Sequence, residues 1–375
     1  MATNKKIMEK LMALSGAVIG FKNIHDYVIR TPSPSLNFTF GNAHGLPAGH
    51  SITIFGPPKG GKSLIANMMV GQLHKDDPDA WAIKFNTEFR EGGQLTEEQA
   101  NLWGIDRERY IAYETNRPDE IFDRIEKDFA ALADAGMKLK LVIIDSVTQI
   151  QGRRGMNADT IMTQQIGDNA LTIQEGLKRI LPVQRKLGFA LVLTAHVRAQ
   201  MDLAEQMRGN KVRAAVSFGT QHHCEYSLFV EPNRSKEGRE DLLGRKFVNE
   251  SVEDLSGKGE KQGHKIRVKM VDSSIGPKER TGEFTLDYYK GVVSTHEEVF
   301  RLGVGWNVIE KPNNLTYRYG GKDWRGKPAM LEALKNDPLM CEQILTELRR
   351  RDIAHEIGDG TVHDKEESSE EESAE

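Results

Sequence analysis

The chain has 375 residues, of which 38% are hydrophobic and 28% charged, with a net charge of -4. That balance describes a soluble globular protein able to bury a core, long enough for one large domain and a smaller one. It excludes a membrane span, because no run of about 18 or more apolar residues occurs, and two cysteines, Cys224 and Cys341, exclude a disulfide framework or zinc-finger spacing.

The start, Met1-Ala2-Thr3-Asn4-Lys5-Lys6-Ile7, lacks the apolar stretch of a signal peptide, so the expected setting is the reducing cytoplasm. Residues 2–15 carry Ile7, Leu11 and Leu14 at helical spacing, with Gly16 as a stop. A helix this short is marginal alone and must dock on its own core or on a neighbouring subunit. Thr31-Pro32-Ser33-Pro34-Ser35 then reads as a linker.

From about 36 to 230, strands and helices alternate. The strand candidates are 51–55, 81–86, 139–145, 189–196 and 227–231. Leu141-Val142-Ile143-Ile144 is apolar without alternation, as expected of a parallel strand covered on both faces. Helices are expected over 119–135 and over 167–186, the second kinked by Pro182. This rhythm specifies an α/β fold with an open, mostly parallel sheet. Strict alternation in Lys265-Ile266-Arg267-Val268-Lys269-Met270-Val271, followed by 283–289, predicts a hairpin that finishes the sheet. Residues 235–264, polar and Gly-rich, read as a mobile insert, and 296–357 as a compact α/β segment.

The end is a separate matter. Residues 359–375 hold eight acids and one base, a net -7, so the remainder carries +3. With no hydrophobic pattern this tail is expected to be disordered. A mildly basic body with an acidic tail suits nucleic-acid binding, and it equally suits a plain solubilising tail.

The chemistry gathers around one stretch. Gly56-Pro57-Pro58-Lys59-Gly60-Gly61-Lys62-Ser63 has the spacing of a phosphate-binding loop, glycine, four residues, then Gly-Lys-Ser, between a β-rich run and a helical pattern. An incidental Gly-rich turn is the bland alternative. Glycines let the backbone curl around an anion, and successive N–H groups converge on it at a helix N-terminus. Pro57 and Pro58 have no N–H, which leaves Lys59, Gly60, Gly61, Lys62, Ser63 and Leu64 as donors. Lys62 is expected to reach the outer phosphates and Ser63 to hold Mg²⁺.

Asp145 ends the apolar strand and is a second metal-side candidate, or an ordinary strand-end cap. Glu88, after the strand at 81–86, is placed to orient and deprotonate an attacking water. His196 ends another strand and is either a phosphate sensor or structural. Two basic segments follow strands at this edge, 151–163 with Arg153 and Arg154, and 198–218 with Arg198, Arg208, Lys211 and Arg213. They suit a sequence-independent grip on phosphates, or are simply solvated loops. His222-His223-Cys224 lacks a fourth metal ligand at suitable spacing and reads as core or interface.

Taken in this order, the motifs resemble the RecA family of strand-exchange proteins, and within it the bacteriophage UvsX type, over about residues 32–350. The resemblance is carried by Leu46-Pro47-Ala48-Gly49-His50 before the loop, Asn86-Thr87-Glu88-Phe89, Val142-Ile143-Ile144-Asp145-Ser146 and Thr194-Ala195-His196, where histidine stands for the bacterial glutamine. Gly326-Lys327-Pro328-Ala329 and Leu334-Lys335-Asn336-Asp337-Pro338 resemble the C-terminal domain of bacterial RecA.

The resemblance implies a RecA-like phosphate-loop ATPase core at 36–295, an N-terminal oligomerisation helix and linker at 1–35, a C-terminal domain at 296–357 and an acidic tail at 358–375. It implies a DNA-dependent ATPase using ATP and Mg²⁺, with Glu88 and Lys62 catalytic. It also implies helical filaments of the chain on single-stranded DNA, pairing and strand exchange with duplex DNA, and help from single-strand-binding and loader proteins, in the host cytoplasm if phage-encoded. By it, the two basic segments become DNA-binding loops. One departure concerns the hairpin. Bacterial RecA reaches ATP across the subunit interface with two hairpin lysines, whereas Asp272 and Ser274 stand at the aligned positions here. Lys278 or Arg280 is the expected substitute. A ring-forming motor such as a replicative helicase, or a regulatory nucleotide-binding protein without a DNA role, remains the rival reading.

Overall fold

The computed structural model describes residues 25–41, 44–89, 96–153, 167–207, 211–233 and 263–357. The expected N-terminal helix, most of the first basic segment, the acidic tail, and all of the expected insert at 235–264 except residues 263 and 264, which begin a strand, lie outside these.

In chain order the strands are β1 (Val28–Ile29), β2 (Leu46–Pro47), β3 (Ser51–Phe55), β4 (Ala80–Asn86), β5 (Tyr110–Glu114), β6 (Lys138–Asp145), β7 (Ala190–Ala195), β8 (Val197–Ala199) and β9 (Val212–Ala214). Then follow β10 (Tyr226–Pro232), β11 (Gly263–Ser273), β12 (Thr281–Asp287), β13 (Gly291–Val293), β14 (Glu310–Asn313), β15 (Thr316–Tyr319) and β16 (Lys322–Arg325). Nine of them form one sheet in the order β13-β12-β11-β10-β3-β7-β6-β4-β5. The run from β10 to β5 is parallel, and β11, β12 and β13 extend it antiparallel. The fold is thus an α/β core with a mostly parallel sheet, as the βαβ rhythm requires. β5 is outside the five strands expected from sequence, and its Tyr-Ile-Ala-Tyr-Glu run lies at the sheet edge, only partly covered.

Each face of the sheet buries its own core. One packs Ile52, Ile54, Leu141, Ile143 and Val192 against Ile65, Met68 and Met69 of the helix Lys62–Asp76. The other packs Phe55, Ile83, Phe85, Ile144 and Leu193 against Ile125, Phe129, Leu177 and Ile180. The expected helix at 119–135 is continuous from Pro118–Asp123 through a π-helical turn, Arg124–Asp128, into Phe129–Asp134. Pro182, the expected kink site, lies inside the helix Asp168–Leu187. Gly176 in that helix admits Phe122, whose ring an added Cβ would meet at 2.3 Å.

A third core joins Val299, Phe300, Ile309, Tyr317, Met330, Leu334, Ile344 and Leu348, with Phe38 inserted from the short helix Pro34–Phe38. Trp306 stacks edge-on against Phe38 at 5.2 Å. Among the described residues no helix is long and apolar enough to cross a membrane.

Candidate nucleotide-binding site

β3 delivers the chain into the glycine-rich loop, and the helix Lys62–Asp76 leaves it. Gly56 lies against β10, where an added Cβ would stand 2.1 Å from the Val230 carbonyl oxygen, so only glycine lets the loop start here. Gly61 caps the helix at φ 104°, a left-handed conformation that favours glycine, and Lys59 also has positive φ, 59°. Gly60 donates its N–H to Pro57 O at 3.0 Å, so this expected anion donor is engaged within the loop itself. Lys62 folds back over the loop, its ammonium 3.1 Å from Gly56 O and 3.0 Å from Pro57 O. The cradle, the helix N-terminus and a lysine above it fit a polyphosphate.

Beside the loop, β6 ends in Asp145. Burial pushes its carboxyl upward, but Lys84, Thr194 and Ser63 together hold it below the usual carboxylate range. Lys84 Nζ lies 2.8 Å from Oδ2 and Thr194 Oγ1 donates to Oδ1 at 2.5 Å, while Ser63 adds a weaker pull in the same direction. Ser63 and Asp145 are the two side chains expected on the metal side, and a hydroxyl near a carboxylate fits Mg²⁺, which takes few protein oxygens and keeps the rest as water and phosphate. Among the described residues no group of three His, Cys, Asp or Glu side chains forms a metal cage. Burial pushes the Cys224 thiol up to about 12, and its sulfur accepts from Thr53 Oγ1 at 3.2 Å.

The strand ends are tied together. Thr87 N–H donates to Asp145 O at 2.8 Å, and Thr87 Oγ1 bridges to the N–H and carbonyl of Ser146. The next residue, Glu88, presents Oε1 3.4 Å from His196 Nε2, which also meets Gln149 at 3.3 Å. Glu88 and His196 were separate expectations; the fold makes them one pair. Thr87 and Thr194 entered the sequence reading only as members of motifs, and Lys84 and Gln149 were given no role there.

The basic segment after β7 is partly structured. β8 and β9 form a two-stranded ribbon in which Arg198 stands opposite Arg213. Arg198 donates to Val216 O at 2.7 Å, while Arg213 lies over the Phe218 ring at 5.9 Å. Lys211 is exposed at the ribbon's tip, and Arg153 is exposed at the end of the other segment. Arg154 and Arg208 lie outside the described residues. The hairpin cations turn elsewhere than expected. Lys278 pairs with Asp272 of its own chain at 2.6 Å and lines a cleft of about 770 Å³ with Arg213, Gln200 and Val271, whose lining includes neither the phosphate loop nor Glu88. Arg280 is bound internally: its guanidinium takes both oxygens of buried Asp352 at 2.8 and 2.5 Å and sits over Phe38 at 4.5 Å. A reach toward a neighbour's ATP would have to break this pair, and a desolvated bidentate pair is costly to break.

The sheet, the loop at the β3 edge and the acid at the β6 edge define a RecA-like phosphate-loop core. Over most of its length the chain has RecA-family homologues at low identity. It is similar to Protein RecA of Thermus thermophilus, 24% identical over 325 residues, covering 86% of this chain and 85% of that one. Similarity to Protein RecA of Campylobacter hominis is 21% over 353 residues, covering 92% and 89%. The Arabidopsis thaliana protein named DNA repair protein recA homolog 3, mitochondrial, is 23% identical over 335 residues, covering 88% and 69%. No family model matches the chain.

Proposed function

We propose that the chain is an ATP-dependent recombinase that polymerises on single-stranded DNA, pairs it with homologous duplex and exchanges strands. One observation carries the reading. His196 touches Glu88 through its ring, and its carbonyl accepts from Ala215 N at 2.7 Å, next to the paired arginine ribbon. A residue at the nucleotide edge is therefore built into the base of a cationic element. Like charges set opposite one another are costly unless an anion lies between them, and a DNA backbone supplies that anion. The names of the similar proteins, RecA and a DNA repair protein, point the same way.

The chemistry follows from placement. Lys62 and the loop N–H groups bind and orient the phosphates, and Ser63 and Asp145 hold the metal side. Mg²⁺, when bound, neutralises charge on the terminal phosphates. Glu88 accepts the proton of the attacking water, with His196 fixing the carboxylate. His196 then reports the occupancy of the site to β8.

Residue division 1–35, 36–295, 296–357 and 358–375 belongs to the same proposal, supported by the separate third core. So do a phage-type kinship, supported by Thr194-Ala195-His196, and single-strand-binding and loader proteins as partners. For the contact across the subunit interface we keep Lys278, exposed near the hairpin turn, and set Arg280 aside. Electron micrographs with ATP and single-stranded DNA test the reading. Open helical filaments and DNA-stimulated hydrolysis are expected; closed rings or free particles overturn it.

A further inference from the structure

Lys84 is a lysine in the middle of a buried strand, and the mechanism above does not use it. β4 alternates faces: Ile83 and Phe85 enter one core, while Ala80 and Ala82 enter the core beneath the helix Lys62–Asp76. Lys84 shares the second face and is 4% exposed, as closely covered as the apolar residues around it. An ammonium is costly there unless it is paired, and a methionine of similar length would fill the space without that cost. It pairs with Asp145 Oδ2, at 2.8 Å.

Asp145 has two oxygens and roughly four acceptor directions. Thr194 takes Oδ1 and Lys84 takes Oδ2. The protein thus engages both oxygens of this carboxylate and balances its charge from below. A carboxylate neutralised by a buried ammonium attracts a bare divalent cation far less than an unpaired one, because the two charges act at short range with little water between them. The phosphates of a nucleotide add several negative charges on the open side, which Lys84, shielded beneath Asp145, does not cancel.

We propose that Lys84 is a positioning residue. It keeps Asp145 oriented and charge-balanced, so that the site takes up a divalent cation only together with nucleotide. The inference rests on the proposed nucleotide site and adds to it the order in which the site fills.

Mn²⁺ alone, followed by its electron paramagnetic resonance signal with the full chain, is the probe. Wild type is expected to hold no more Mn²⁺ than Asp145→Asn, so any background uptake elsewhere, as by the acidic tail, subtracts out. Lys84→Met is expected to bind Mn²⁺ at least about tenfold more tightly. Adding Asp145→Asn should erase that gain, and Lys84→Arg should behave as wild type. A folded Lys84→Met with unchanged Mn²⁺ affinity overturns the proposal. So does a wild-type chain that already binds Mn²⁺ through Asp145 without nucleotide, a result that needs no lysine variant to fold. Failure of the nucleotide-site reading shows separately, as no binding of a fluorescent ATP analogue by wild type at any Mg²⁺ concentration.

Discussion

Glu88 Oε1 and His196 Nε2 stand 3.4 Å apart, joining the ends of β4 and β7 across the intervening strand β6. A carboxylate held against the imidazole has a fixed orientation at the nucleotide edge. Glu88→Gln is expected to bind ATP and DNA but to slow hydrolysis by roughly 10²–10⁴-fold, trapping assembled filaments. Single-turnover hydrolysis alongside a binding isotherm checks this, and undiminished turnover would assign the water to another residue.

Lys62 spends its ammonium on Gly56 O and Pro57 O. Those carbonyls belong to the loop, so its turn survives without the lysine, while the charge aimed at phosphate does not. Lys62→Ala should lower ATP affinity roughly 10- to 100-fold, the worth of one or two charge-assisted bonds. Circular dichroism should report an intact fold. Wild-type affinity in that folded variant would sink the phosphate-loop assignment.

The ribbon makes a salt-dependent prediction. Replacing Arg198, Lys211 and Arg213 with Ala removes three cations from β8, β9 and their connection. On single strands each lost phosphate contact lowers the slope of log affinity against log salt by about 0.7, so a reduction of about 2 is expected. An unchanged slope would show that these residues do not meet DNA.

Much of the core was legible because its signals are local. Ser51–Phe55 reads as a β-rich run, 141–144 is an apolar run within Lys138–Asp145, and the loop between β3 and its helix is a spacing rule. β5 was less legible, because the short apolar run Tyr110-Ile111-Ala112-Tyr113 cannot be told from a helix segment by pattern alone. The site's cross-links were illegible for a different reason. Lys84 meets Asp145 because β4 pairs with β6 in the register that sets Asn86 beside Asp145, and register is a property of the sheet. The one local clue was a lysine in an otherwise apolar strand. The intrachain engagement of Arg280 was illegible in the same way: its partner, Asp352, lies 72 residues on, in the helix Pro338–Ile357.

Glu298 carries a pH prediction. It is buried beneath the linker, accepting from Ser33 Oγ at 2.6 Å and Ser35 N at 2.9 Å. Burial pushes its carboxyl up to about 7, against the pull of those bonds. The folded chain therefore holds this proton more tightly than the unfolded chain. The stability it contributes is fully present below the unfolded value of about 4.3 and is lost as pH rises through about 7. Relative to Glu298→Gln, wild type should lose roughly 2–4 kcal/mol across that window, at 1.36 kcal/mol per unit. Urea unfolding at several pH values checks it; parallel pH profiles for the two chains would refute it.

The last prediction separates two places for Arg280. A side chain reserved for a neighbour's ATP would be dispensable to an isolated subunit. Arg280 instead fills a pocket within its own chain: Asp352 is fully buried and also bound to His44 Nε2 at 3.0 Å, and Phe38 and Trp306 flank the guanidinium at 4.5 and 5.4 Å. Arg280→Ala strips the cation and leaves a buried carboxylate with only His44. Dilute, DNA-free and nucleotide-free protein should then lose about 3–5 kcal/mol of unfolding free energy, the cost of stranding one member of a buried pair. Removing both charges together, as in Arg280→Met with Asp352→Leu, should recover most of that loss, since the stranded charge goes with them. The same pair ties β12 and the tight turn before it to the C-terminal helix. Asp352→Asn should therefore also loosen the turn, and hydrogen exchange there should rise in the monomer. Arg280→Ala with wild-type monomer stability, and a defect confined to assembled, ATP-bound subunits, would return the residue to the interface.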